Sequence, residues 1–85
     1  MRVSLIKSKN DEKVFKTFKS LGFDVFEIED LNKTDKEIEK LINQNYDTII
    51  LTNEVASFSE DIIKKYQRKG NKDNINIIIA PSRIN

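Results

Sequence analysis

Two isoleucine-rich runs constrain this chain more than anything else in it: Thr48-Ile49-Ile50-Leu51-Thr52 and Ile75-Asn76-Ile77-Ile78-Ile79-Ala80. Between them lies one amphipathic stretch in which Ile62, Ile63 and Tyr66 recur at helical spacing. Runs of five or six apolar, β-branched residues suit strands buried on both faces, and a helix-length connection between two such strands makes them parallel. The unit reads as strand, crossover helix, parallel strand. Each run ends in small polar residues, Thr52-Asn53-Glu54 and Pro81-Ser82, and in folds of this kind ligands and partners meet those carboxyl ends.

The first half repeats the alternation. Arg2–Ile6 reads as a short strand, and Ser8 or Asn10 as a cap for a helix over Asp11–Ser20 with Val14, Phe15, Phe18 and Leu21 on its buried stripe. Gly22 stops that helix. Phe23–Glu29 mixes apolar and acidic residues near period two, as an edge strand does. Leu31–Lys33 is expected to be a loop. Thr34 and Glu37 have capping-box spacing ahead of a helix carrying Ile38, Leu41 and Ile42, which ends at Asn43–Asn45. The next strand is Asp47–Thr52. Asn53–Ala56 is either a helical turn or a loop, and Ser57-Phe58-Ser59-Glu60 is a second capping-box candidate. Gly70 and Asn71–Asn74 close the last helix before the strand Ile75–Ala80.

The expected fold is therefore α/β: a four-stranded parallel sheet in the order 2-1-3-4, flanked by three helices in a flavodoxin-like or Rossmann-like three-layer sandwich. Eighty-five residues form one domain, spanning 1–85, and bury roughly 60–65% of the unfolded surface. Strand four is the awkward element, because an apolar edge invites pairing. The pattern places Ile77 and Ile79 toward one helix layer and Ile78 toward the other.

Composition removes several chemistries. There is no cysteine and no histidine, so thiolate metal sites and the commonest general base are excluded. The two glycines, Gly22 and Gly70, form no phosphate-binding loop. A phosphate-accepting receiver domain needs clustered carboxylates at the strand ends to hold magnesium, and here strand one ends in Lys7-Ser8 and strand three in Thr52. No catalytic, cofactor-binding or metal-ligating residues are expected, and no cofactor. Lys7 and Lys9 near a helix start are a weak anion signal beside the simpler reading of a capped helix. Lys64, Lys65, Arg68, Lys69 and Lys72 look basic, but Glu60 precedes Lys64 and Asp61 precedes Lys65 by four residues, the spacing of a solvated, charge-paired helix face. With a net charge of +1, neither nucleic-acid binding nor attraction to an anionic membrane is expected. No apolar run approaches the roughly 20 residues of a membrane span, and the N-terminus reads as a strand rather than a signal peptide, so the expected location is cytoplasmic.

The order and spacing of several segments resemble the F subunit of V-type (vacuolar/archaeal-type) rotary ATPases. These are Tyr46-Asp47-Thr48-Ile49-Ile50-Leu51-Thr52-Asn53-Glu54-Val55-Ala56, the helical Ile62-Ile63-Lys64-Lys65-Tyr66, Ile77-Ile78-Ile79-Ala80-Pro81-Ser82, and Phe18-Lys19-Ser20-Leu21-Gly22-Phe23-Asp24-Val25. The likeness covers most of the chain, each motif alone being low in specificity. It departs from the family at Lys7-Ser8, where members usually carry Gly-Asp, and after Ser82, where members continue into a C-terminal helix and this sequence has Arg83-Ile84-Asn85. Two explanations of that second departure stay open: a natural short form lacking the helix, or a cut version of a longer chain.

The resemblance implies a non-catalytic subunit of the central rotor stalk. It would dock on the coiled-coil D subunit beneath the catalytic head and help couple ATP hydrolysis or synthesis to proton or sodium transport. It would be cytoplasmic and peripheral to the membrane through the complex. The docking residues expected are Thr52, Asn53, Glu54, Pro81 and Ser82 at the strand ends, with Phe58, which lies off the Ile62/Ile63/Tyr66 stripe; Phe58 reads equally well as a hydrophobic staple. The alternative function is a degenerate receiver-like domain responding to a ligand or phosphate. A blander third possibility is an assembly protein that pairs through strand four.

Overall fold

Alternating apolar runs and amphipathic segments fold as their periods dictate. The computed structural model describes residues 2–9, 16, 18–67 and 74–80. Its strands are β1 (Val3–Lys7), β2 (Asp24–Glu27), β3 (Thr48–Thr52) and β4 (Asn76–Ala80). Its helices include α1 (Thr34–Asn43), the single turn α2 (Asn53–Ala56) and α3 (Glu60–Gln67). Residues 18–20 are also helical, while Asn10, Val14, Phe15 and most of the predicted first helix lie outside the described residues.

The sheet is parallel throughout, in the order β2-β1-β3-β4. Register sorts the side chains, because paired residues in parallel strands share a face. One face carries Ile6, Ile49, Leu51 and Ile77 and packs on Ile38 and Leu41 of α1 and on Ile62, Ile63 and Tyr66 of α3. The other face carries Leu5 and Ile50 and packs on Phe18, Phe23 and Val25. Two right-handed crossovers in one direction place α1 and α3 on the same side. All five residues of β3 are buried, as a central strand covered on both faces requires.

Several local expectations change. The segment Leu31–Lys33 is a 3-10 turn rather than a loop, and its cap is Asp30, whose Oδ1 accepts from the Asn32 N–H at 3.0 Å. The helix α1 grows straight out of that turn, so the Thr34/Glu37 capping box does not form; Thr34 instead donates from Oγ1 to the Leu31 carbonyl at 2.6 Å. The second box fails similarly. The Ser59 carbonyl accepts the Ile63 N–H at 3.0 Å at the head of α3, whereas Ser57 Oγ donates back to the Glu54 carbonyl at 2.7 Å and serves the end of α2. Strand bounds differ from expectation by at most two residues, the usual uncertainty of ends. Asn45 ends the α1 turn at φ 70, a left-handed conformation that asparagine tolerates.

At the amino ends of the strands, Tyr46 ties the layers together. Its ring is buried, meets Phe26 edge-on at 5.9 Å, and lies 4.1 Å beneath the Arg2 guanidinium. Arg2 also donates to the Gln44 carbonyl. The Tyr46 hydroxyl donates to Asp24 Oδ2 at 2.6 Å. That bond, then burial, then the negative charge of Asp24 push the phenol pKa above its usual value, with Arg2 opposing. A raised acid pKa means that the neutral phenol is favoured by folding, so its contribution is complete below the unfolded value of about 10 and is lost as pH rises through the folded value. Tyr46→Phe should cost about 1 kcal/mol at neutral pH, at the lower end because Asp24 is exposed, and should flatten the alkaline decline. Urea unfolding of both proteins between about pH 7 and pH 11 reads the difference.

Candidate functional site

The switch point between β1 and β3 is where a fold of this order usually presents its functional groups. Here the chain's own side chains occupy it. Lys7 is the last residue of β1, and its side chain is only 3% exposed. Its Nζ donates to Glu27 Oε1 at 3.1 Å and to the Ser8 carbonyl at 3.2 Å. Glu27 is its partner in the β1–β2 register, so the ion pair bridges neighbouring positions on one face. Ser8, also buried, donates from Oγ to Glu54 Oε2 at 3.1 Å and joins the end of β1 to α2. Among the described residues no group of three acidic side chains is arranged to hold a metal.

The expected docking residues separate into layers. Thr52 is fully buried, and its Oγ1 makes no hydrogen bond among the described residues, so it supports the strand end from beneath. Asn53 is exposed as the first residue of α2, and Glu54 is half-buried and held by Ser8. Phe58 is 46% exposed in the turn between α2 and α3 and belongs to neither apolar cluster, so it does not act as a buried staple. Pro81 and Ser82 lie outside the described residues.

Two features escaped the sequence reading. One is the Lys7–Glu27 pair; its signal was opposite charge at the carboxyl ends of two adjacent strands, legible once the register is known. The other is an open groove of about 430 Å³ between α3 and the edge of β4, floored by Ala56, Ile63 and Ile79 and rimmed by Asn53, Lys64 and Gln67. The charge pairs expected along α3 do not close: among the described residues the ion pair within contact distance is Lys7–Glu27. Holding two long exposed side chains in one geometry costs entropy that a solvated pair barely recovers. Arg68, Lys69 and Lys72 of the expected basic run lie outside the described residues.

Comparison with known proteins bears on the whole chain. A family model described as ATP synthase (F/14-kDa) subunit matches residues 10–84. A crystal structure described as a lipoprotein fragment from Peptoclostridium difficile 630 is similar with a TM-score of 0.57 and 22% identity, over 95% of this chain and 84% of that one. At that identity the likeness speaks for the fold alone, and it agrees with the open α/β sheet. No curated protein matches the chain.

The buried Lys7 predicts an asymmetry. Glu27→Gln removes the charged partner of a desolvated ammonium that keeps its bond to the Ser8 carbonyl, and should cost about 1–2 kcal/mol, moderated because Glu27 keeps one side open to water. Lys7→Met removes the charge altogether and should stay within about 1 kcal/mol of the parent. Chemical denaturation of the two variants measures the contrast.

Proposed function

The chain belongs to the ATP synthase (F/14-kDa) subunit family, and on that footing we propose that it serves as the non-catalytic F subunit in the central stalk of a V-type rotary ATPase or ATP synthase. The family match over residues 10–84 carries this reading. Its partner is the coiled-coil D subunit, seated beneath the catalytic head, and its task is to help couple ATP hydrolysis or synthesis to proton or sodium transport. The subunit works on the cytoplasmic side, held at the membrane through the complex. Among the described residues no helix is long and apolar enough to cross a membrane, which fits peripheral attachment.

The switch point supports a docking role. Its polar groups are engaged with one another through Lys7–Glu27 and Ser8–Glu54, so they stiffen the strand ends instead of opening a crevice. What remains on the surface beside them is Asn53 and the half-exposed ring of Phe58. A large aromatic ring among polar neighbours suits an interface centre. The docking surface we assign is Asn53, Glu54 and Phe58 above the buried Thr52, and from the sequence Pro81 and Ser82 are assigned to it as well.

The test is reconstitution with the D subunit of the rotary ATPase from the same organism. At about 10 μM the two proteins should co-elute from gel filtration as a one-to-one complex. Separate elution would overturn the assignment. Phe58→Asp should weaken the complex at least about tenfold with little change in unfolding midpoint, since an interface aromatic contributes more than 1.4 kcal/mol. A complex indifferent to Phe58→Asp would move the docking surface elsewhere.

A further inference from the structure

The two edges of the sheet are built differently. The outer strand β2 carries Asp24 and Glu27, charges of the kind that discourage a second sheet from adding on. The other outer strand, β4, reads Asn-Ile-Ile-Ile-Ala and has no charged residue, with Ile78 50% and Ile79 44% exposed. The Asn76 N–H donates to the Asp47 carbonyl, so Asn76 turns its backbone toward β3. By strand alternation Ile78 does the same, while Ile77 and Ile79 turn their N–H and carbonyl groups outward. The Ile77 carbonyl accepts a long bond of 3.4 Å from Gln67 Nε2, which leaves Ile79 as the open position on that edge.

We propose that β4 pairs antiparallel with β4 of a second copy of this chain about a two-fold axis at Ile79, joining two sheets into one of eight strands. In an antiparallel pair the two residues facing each other at a hydrogen-bonded position exchange both of their bonds. Ile79 opposite Ile79 meets that requirement with the groups that are open, and the Gln67–Ile77 bond survives. An isologous contact of this kind closes on itself and stops at two copies.

The charges of α3 match the same symmetry. Helix α3 runs antiparallel to β4, as a crossover helix does, and Glu60, Lys64 and Gln67 face the groove beside it. Glu60 to Gln67 rises about 10 Å along the helix, close to three residues of strand, and Gln67 lies level with Ile77 through its hydrogen bond. Glu60 and Lys64 therefore lie on either side of the level of Ile79. A two-fold axis there brings Glu60 of each copy opposite Lys64 of the other, twice over. Neither residue makes an ion pair among the described residues, so both charges are available. The dimer is independent of the assigned subunit role; its groove shares Asn53 with the docking surface, and Phe58, which does not line the groove, is the residue that separates the two.

Sedimentation equilibrium from about 10 μM to about 1 mM at low ionic strength tests it. The chain should reach a dimer and no higher species. Ile79→Lys, at a half-exposed edge position, should weaken association at least about tenfold while the circular dichroism spectrum is kept. Glu60→Lys should weaken it about fivefold by placing like charges across the axis, and adding Lys64→Glu to the same chain should restore the parent value within about threefold. Phe58→Asp should leave the dimer unchanged, so that loss of D-subunit binding and loss of the dimer are read separately. A monomer at every concentration, a dimer indifferent to Ile79→Lys, or a charge swap that fails to restore association each overturns the proposal.

Discussion

Everything in this molecule hangs on the pairing of β3. It is flanked by β1 and β4, all five of its residues are buried, and its two faces supply Ile49 and Leu51 to one apolar cluster and Ile50 to the other. A strand covered on both faces gains burial from every side chain, whatever its parity, which is why an unbroken isoleucine-leucine run serves here. The helices then have no freedom of side: right-handed crossovers put α1 and α3 together, and their apolar stripes of Ile38, Leu41, Ile62, Ile63 and Tyr66 fit against the face that carries Ile49 and Leu51.

The two ends of this sheet show how differently a parallel scaffold can be finished. At the amino ends an aromatic and charged cluster of Arg2, Tyr46, Phe26 and Asp24 ties β2 to the entry of β3. At the carboxyl ends, where such folds commonly keep polar groups free for ligands, Lys7 and Ser8 are spent on Glu27 and Glu54. A buried ammonium needs a partner more than it contributes stability, so the Lys7–Glu27 pair is best understood as holding the strand ends in place. That leaves the strand ends closed on themselves, with Asn53 and Phe58 exposed.

Charge placement also separates the two outer strands. The charged residues of β2 protect it, whereas β4 carries no charge and is blunted only in part by Gln67. The same isoleucines that make β4 a good neighbour for β3 leave its far side adhesive. Ile77 is buried under α3 while Ile78 and Ile79 are not, because an edge strand lies at the margin of both helix layers.

Much of this was readable from residue order. Runs of isoleucine, helical stripes and turn residues specify β-α-β repeats, and the length of the crossovers specifies parallel pairing; the order 2-1-3-4 is the one such doubly wound repeats commonly take, and Ile38, Leu41, Ile62, Ile63 and Tyr66 are buried as their spacing implies, whereas Leu21 is exposed. The lack of cysteine and histidine likewise narrows the chemistry from composition alone. Caps were not readable: Asp30 caps the turn ahead of α1 in place of Thr34, and Ser57 closes α2 instead of opening α3, since a cap depends on which residue the preceding turn delivers to the helix start. The site was least readable of all. That Thr52 lies under the surface, that Lys7 meets Glu27, and that Ile79 keeps its backbone open are consequences of register between strands some twenty to fifty residues apart. Side-chain period determines which residues can share a face, and only the tertiary pairing decides which of them actually meet.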